Sequence, residues 1–370
     1  MNEYLLMNKD RKLLSFSMVE RSIPGRYEIK EVERYVGDEL LPPRFLDIAT
    51  WIDNRNYAKH KEHLKTWLRE WQIDNAKGFI DMTHALGLND SMWVKPVDSD
   101  LTWDGVNLYK NGFSDVVART AFEKGLHGLK LSTTSPEFTS EGSFEKCWIQ
   151  EDDEVFLYKK GSSGFANAGL EMYSEYYASQ YAAVICDSYV SYDLCCFKGS
   201  IVSRCKMFTT ENEGFVPIYK YLNDSKAYEI EDVLEFLGQY GFEEDFRKMI
   251  ILDSVIMNED RHFGNFGFIV DNDTFEILRF APVFDHNMSL FPRAMQDDLR
   301  DDSEFILSKE HKLGGEFIDV GKWMLDDITR ERLESLVDVP LKLHEKYNLP
   351  KERIDFLNHL IQKHIREMLA

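Results

Sequence analysis

The stretch that decides the fold is Asn258-Glu259-Asp260-Arg261-His262-Phe263-Gly264-Asn265, read together with the segment running on to Pro282-Val283-Phe284-Asp285. Positions five apart on an α-helix point about 140° away from each other, so Asp260 and Asn265 cannot converge on one ligand from a continuing helix. The first segment must therefore be a loop, and Gly264 gives the backbone freedom to leave helical geometry. Phe266 to Val270 and Phe275 to Phe280 read as two apolar strands around Asp271-Asn272-Asp273-Thr274, a turn-rich tetrapeptide. Such a hairpin reverses the chain and returns Asp285 to the neighbourhood of Asn265. Two carboxylates and an amide oxygen then share a small volume. Phosphoryl transfer asks for that set. One carboxylate, Asp260, orients the attacking hydroxyl; Asn265 and Asp285 hold the magnesium that neutralises nucleotide phosphates.

Taken singly, each residue has a plainer reading: Asp260 as a turn carboxylate, Asn265 as a loop cap, Asp285 as a strand-end residue. Their order after an apolar helix, bridged by a hairpin, favours chemistry. Arg261 and His262 either position the loop, touch phosphate, or serve only packing and hydrogen bonding within it.

Upstream, a kinase needs a lysine on a strand to hold the α- and β-phosphates, paired to a carboxylate from the following helix. Lys146 to Gln150 and Glu154 to Lys160 read as strands around the acidic turn Glu151-Asp152-Asp153. Lys159 ends the apolar run Val155 to Tyr158; Lys160 is its competitor, pointing to the other face by the period-two rule. Leu170, Tyr173, Tyr177, Tyr181 and Val184 recur at helical spacing, which places Glu171 and Glu175 on that helix. The pair chosen is Lys159 with Glu175, against an exposed strand-end lysine and a surface glutamate. Tyr189 to Phe197 and Ser200 to Phe208 then alternate around Lys198-Gly199 as a hairpin. Strand, strand, helix, strand, strand is the order of a small nucleotide-covering lobe.

Elsewhere the first third, to about Gly125, reads as mainly helical in its middle. Tyr57, Leu64, Trp67, Leu68 and Trp71 recur at helical spacing, with Asp74-Asn75 and Gly78 as a stop. Lys59, Lys61, Lys65 and Arg69 sit on that helix's other faces, as a solvated exterior or a small polyanion-binding face. Trp103-Asp104-Gly105 reads as a turn, and Phe113 to Phe122 as a further amphipathic stretch. Beyond Ile230 helices dominate, one of them running from Phe246 to Ile256 straight into the Asp260 segment. The acidic run from Asp297 to Glu304 is either a solvated loop or a surface favouring basic peptides. The division expected is 1–125 as a mainly helical accessory region, 126–222 as a strand-rich lobe, and 223–370 as a helical lobe.

With 370 residues and 44% hydrophobic content the chain can bury a sizeable core. A formal charge of −21 makes it repel phosphate backbones, so direct nucleic-acid binding is not expected. No signal-peptide pattern opens the sequence and no 18-residue uncharged apolar run interrupts it, so the expectation is a cytoplasmic protein with no membrane contact. The five cysteines form no Cys-x-x-Cys pair and read as reduced, mostly buried thiols.

The pattern Asn258-x-Asp260-Arg261-His262-x-x-Asn265, followed by Ala281-Pro282-Val283-Phe284-Asp285, resembles the catalytic and magnesium loops of the HipA-like serine/threonine kinases. It is also similar to the catalytic loop of phosphatidylinositol kinases, but Pro282-Val283-Phe284-Asp285-His286 contains no Asp-Phe-Gly. Lys159 and the Ser174-Glu175 step look like that family's lysine and helix glutamate, and the match runs roughly from Gly142 to His286. The resemblance implies an α+β, bilobal protein-kinase-like fold, here with the extra N-terminal region. It implies ATP- and Mg2+-dependent phosphorylation of a protein Ser or Thr hydroxyl, with an antitoxin-like partner in a toxin-antitoxin pair. Thr139-Ser140-Glu141-Gly142-Ser143-Phe144 occupies the phosphate-loop position with a single glycine, so Gly142 and Ser143 are nucleotide-binding candidates. Ser143 or Ser140 is the candidate for self-phosphorylation, against an ordinary polar turn. Two other functions stand beside this one: a small-molecule or lipid kinase of related fold, and a non-catalytic pseudokinase-type binding module.

Overall fold

In the computed structural model, which describes residues 2–56, 75–112, 146–152, 154–163, 168–223 and 226–370, the first strand is buried on both faces. β1 (Asn2–Asn8) pairs with β2 (Arg11–Glu20), which pairs with β3 (Tyr27–Arg34), and β4 (Met92–Pro96) lies on the other side of β1. All pairings in this sheet are antiparallel, with Leu6 opposite both Leu14 and Val94. Alternate residues of β1 enter two separate cores. Tyr4 and Leu6 join Phe16, Ile52, Phe79 and Ile80 on one face, while Leu5 and Met7 join Trp93, Trp103 and Leu108 on the other. The helices α1 (Ile48–Arg55) and α2 (Ala76–Thr83) supply the first of these cores. Both start on a side-chain cap: Asp47 accepts from Thr50 N at 2.8 Å and Asn75 from Gly78 N at 3.0 Å. The edge strand β3 is largely exposed and carries Glu28, Lys30, Glu31, Glu33 and Arg34, charges that oppose edge-to-edge pairing.

The first third is thus richer in strand than the sequence predicts. A strand covered on both faces shows no apolar–polar alternation, so β1 gives no period-two signal to read. Asn75, taken as part of a helix stop, instead opens α2, and Trp103–Val106 is a one-turn helix (α3) rather than a turn. The amphipathic stretches 57–71 and 113–122 lie outside the described residues.

β5 (Lys146–Glu151) and β6 (Glu154–Lys160) follow, where the sequence places them. Next come α4 (Glu171–Ile185) and the hairpin of β7 (Tyr192–Phe197) and β8 (Ser200–Lys206). Phe197 faces Ser200 across Lys198 and Gly199, both at positive φ (47° and 77°), the backbone that a two-residue hairpin turn requires. β9 (Glu213–Pro217) precedes α5 (Ile230–Gly238) and α6 (Glu243–Ile256); β10 (Gly267–Asp271) and β11 (Ile277–Phe280) form the expected hairpin, in a sheet ordered β11-β10-β9. The remainder is helical: α7 (Glu304–Leu307), α8 (Phe317–Met324), α9 (Asp327–Glu334) and α10 (Lys351–Leu369). A Cβ on Gly321 would stand 2.5 Å from Met368 Cε and 3.1 Å from Ser254 Cβ, so α8, α10 and α6 meet closely there and a side chain would have to displace the Met368 thioether.

The chain divides into two compact units that interleave along the sequence. Unit 1 comprises Met1–Tyr158, Met207–Val216 and Phe268–Leu278; unit 2 comprises Lys159–Lys206, Pro217–Gly267 and Arg279–Ala370. The chain crosses between the two units five times. Cys147, Cys186 and Cys205 are buried free thiols, Cys195 is half-buried and Cys196 exposed. Among the described residues no helix is long and apolar enough to cross a membrane.

In unit 1 the tip of the β10–β11 hairpin packs so closely on β9 that a Cβ on Gly214 would lie 2.3 Å from Asn272 Oδ1 and 2.6 Å from the Asn89 carbonyl. Gly214→Ala should therefore cost about 1–3 kcal/mol through overpacking. A thermal midpoint equal to that of the unsubstituted chain would show that the neighbours give way.

Candidate active site

Every residue described next lies in unit 2. α6 is buried on every side from Lys248 to Ile256, and it ends at Met257 in the left-handed region (φ 51°), where the chain leaves the helix for the 258–265 loop. The loop is closed locally. His262 N donates to Asp260 O at 2.9 Å, Asn265 N to His262 O at 2.9 Å, and Gly264 N to His262 Nδ1 at 3.0 Å. Asn265 Nδ2 donates to Asp260 O at 3.1 Å, which leaves the amide oxygen of Asn265 as the group to face a cation.

Arg261 is fully buried and anchors the loop from below. Its Nε and Nη2 donate to Asp253 at 2.8 and 2.9 Å, Nη1 donates to the carbonyls of Asn265 (3.1 Å) and Phe284 (2.5 Å), and Nη2 also donates to His286 Nδ1 (3.2 Å). One guanidinium thereby ties the backbone at 265 to the backbone at 284. Of the readings open for Arg261, the structure selects the internal one: it holds the loop. His286 is neutral, its pKa pushed down to about 3 by burial and then by the Arg261 cation. Its Nδ1 accepts from Arg261, so the proton sits on Nε2, which has no hydrogen-bond partner among the described residues.

Asp285 itself adopts φ 59°, a conformation uncommon for a side-chain-bearing residue, though Asp tolerates it better than most. Its N–H donates to Tyr192 Oη at 3.1 Å, and Val283 beside it bridges to the segment before β7. The Asp285 carboxylate accepts from Lys159 Nζ at 2.8 Å, and Glu175 accepts from the same ammonium at 2.6 Å. Glu175 is 1% exposed and receives a further, very short bond from Ser203 Oγ. Burial opposes the charge on Lys159, but Asp285 and then Glu175 outweigh it and hold its pKa well above the ordinary lysine value. The Lys159 ammonium also stands 5.8 Å from the centroid of the Tyr192 ring. Glu171, the other helix carboxylate, bonds Ser162 instead, with Ser162 N at 3.1 Å.

Asp260 is half-buried, and burial raises its pKa above the ordinary aspartate value. The charges of His262 and Lys312 lower it, and Asp285 raises it further, which places the two carboxylates within electrostatic reach. Among the described residues its carboxylate accepts no hydrogen bond. Lys159, Glu175, Asp260, Asn265 and Asp285 are therefore gathered in one unit. Gly142, Ser143 and Ser140 lie outside the described residues. The sequence reading did not single out Asp253, Tyr192 or Ser203. The one signal for Asp253 was a carboxylate inside the otherwise uncharged run from Met249 to Ile256, since a carboxylate there needs a buried cation.

No family model matches the chain. It is 24% identical over 202 residues to the serine/threonine-protein kinase CtkA of Helicobacter pylori, a match taking in 47% of this chain and 61% of that protein. The chain thus spans about three fifths of the curated relative it matches. Among solved structures it is similar to the H. pylori proinflammatory kinase CtkA, with a TM-score of 0.44 and 19% identity, over 60% of this chain and 92% of that one. It is also similar to the Shewanella oneidensis MR-1 toxin-antitoxin system HipA, HipB and operator DNA complex, with a TM-score of 0.49 and 11% identity, over 99% of this chain and 96% of that one.

Asp253→Ala leaves Arg261 a buried, unpaired cation and should lower stability by about 3–5 kcal/mol. The measurement is the urea midpoint; a shift of less than about 1 kcal/mol would mean that water reaches the guanidinium.

Proposed function

We propose that the chain is an ATP- and Mg2+-dependent protein serine/threonine kinase, acting in the cytoplasm on a Ser or Thr hydroxyl. The observation that carries this reading is the Lys159 ammonium, held between Glu175 on α4 and Asp285 after β11, in the same unit as the Asp260–Asn265 loop. The stretch 126–222 is then the nucleotide-covering lobe and 223–370 the catalytic lobe, with 1–125 accessory to both. The sequence similarity to CtkA supports the same chemistry, and an antitoxin-like partner is what the resemblance of the 258–265 loop to the HipA-like kinases implies.

The residues present fit a magnesium ion. The ion is content with one or two protein oxygens when phosphates and water supply the rest. Asn265, with its amide nitrogen committed to Asp260 O, and Asp285, a half-buried carboxylate, are that pair. Bound there, the metal would neutralise charge on the transferring phosphoryl group. Lys159 would hold the α- and β-phosphates, with Glu175 keeping its ammonium in place. Asp260 would accept a hydrogen bond from the substrate hydroxyl and orient it, and its carboxylate, unclaimed by the described residues, suits that task. Gly142 and Ser143 would cover the phosphates. The full set of groups argues against a binding module that has lost catalysis.

Purified protein incubated with labelled ATP and magnesium should phosphorylate itself or a mixture of basic peptides. Asp260→Ala should lower the rate by about 10²–10⁴-fold, and Asp285→Ala should abolish it. Wild type and both variants behaving alike would overturn the reading. Label passing to sugars or inositol lipids but to no peptide would replace the protein-kinase assignment with a small-molecule one.

The acid limb of the kcat/KM profile follows from Asp260. Its working form is the carboxylate, which is lost as pH falls through its pKa, and burial raises that pKa. Activity should therefore decline on acidification at a pH above the ordinary aspartate value of 3.8. A limb at or below that value would remove Asp260 from the role.

A further inference from the structure

The β10–β11 hairpin joins Asn265 to Asp285, and in unit 1 its tip is gripped by residues from the far N-terminus. The β1–β2 turn, with Lys9 at φ 48°, presents three side chains to it. Asn8 Nδ2 donates to Asn272 O at 2.5 Å, Lys9 Nζ to Asp273 Oδ2 at 2.7 Å, and Arg11 Nη1 to Asp273 O at 3.0 Å. The grip is itself braced. Ser91 Oγ donates to Asn8 Oδ1 at 2.5 Å, and Trp93 Nε1 donates to Lys9 O at 2.7 Å. From the other side Asn272 N donates to Asn212 O at 2.8 Å and Asn272 Nδ2 to the carbonyls of Thr210 and Glu211 at 3.3 and 3.1 Å. Asn8 and Asn272 are 2% and 1% exposed. A turn needed only to reverse the chain would not require buried amides from residues more than 260 positions away.

We infer that Asn8 and Lys9 are positioning residues for the magnesium pair: by fixing the hairpin tip they set the strand register that delivers Asn265 and Asp285 to one ion. The transmission runs along the hairpin, from Asn272 and Asp273 at its tip to Gly267 and Ala281 at its base. Gly267 and Ala281, where Ala281 N donates to Gly267 O at 2.9 Å, are two residues from Asn265 and four from Asp285. Asn8 and Lys9 then act on the magnesium pair only through the hairpin. The inference rests on the kinase reading for its chemistry and on the hydrogen bonds above for its geometry.

Two variants test it on the full chain. Asn8→Ala removes the buried amide. Lys9→Glu reverses the half-buried charge, and Lys9→Glu with Asp273→Lys restores the pair in the opposite sense. The magnesium concentration for half-maximal activity should rise about tenfold in Asn8→Ala and Lys9→Glu, as when supporting groups behind a metal ligand are removed. The kcat at saturating magnesium should stay within about twofold of wild type, and the charge-swapped pair should recover. A magnesium dependence unchanged in both variants overturns the inference, as does a loss of kcat with no change in magnesium requirement. Hydrogen exchange reads the geometry without any activity. Amides 265–268, 281 and 283–285 should exchange faster in both variants, and protection lost only at 8–12 and 271–276 overturns the inference. A wild type with no activity, beside faster exchange at 265–268, would overturn the kinase reading and uphold the clamp.

Discussion

The arrangement of the site depends on the buried pairing of Arg261 with Asp253. A guanidinium has five N–H donors, and here Asp253 takes two, the carbonyls of Asn265 and Phe284 take two, and His286 takes the last. Asp253 also accepts from Asn258 Nδ2 at 3.0 Å, whose own oxygen accepts from Asp260 N at 3.2 Å. The polar groups of two separate chain segments are thus satisfied by one planar cation. A lysine would offer three donors from a single point and could not span both carbonyls and the carboxylate. The cost of burying the charge is offset because every donor is used.

Above this base the electrostatics are unbalanced on purpose of geometry: one ammonium, Lys159, serves two carboxylates, and Asp260 adds a third within reach. The cluster carries more negative than positive charge, which suits a divalent cation far better than a bare phosphate. Tyr192 fits into the same balance. Its hydroxyl receives the Asp285 N–H and its ring lies beside Lys159, so one side chain fixes both the backbone and the cation partner of that carboxylate. Asp285 is held in a left-handed conformation by these contacts, the kind of local strain that surrounding structure must maintain.

Much of this was legible in the sequence because it is local. The loop from 258 to 265, the hairpin around Asp271–Thr274, and Lys159 with Glu175 follow from helical phase, turn chemistry and period-two alternation within short windows. What was not legible depends on distant partners. Asp253 looks like a polar interruption of a helix until Arg261 is seen beneath it. Tyr192 reads as an ordinary strand aromatic. β1 shows no alternation because two cores claim its successive residues. Asn75 is ambiguous by nature, since asparagine ends one helix and opens another with equal ease, and only the following Gly78 N decides between them.

The interleaving of the two units has a bearing on how the molecule is made. The chain passes from one to the other after residues 158, 206, 216, 267 and 278. A ribosome delivering it from the N-terminus releases most of unit 1 early, yet that unit lacks its last strands until residue 278 has emerged. The intervening segments must wait, partly dressed, with apolar surfaces such as those of α4 and α6 uncovered. Long-range pairings of this kind slow folding and lengthen exposure to aggregation. Unit 2 waits longer still, since its helices after Arg279 are the last to emerge.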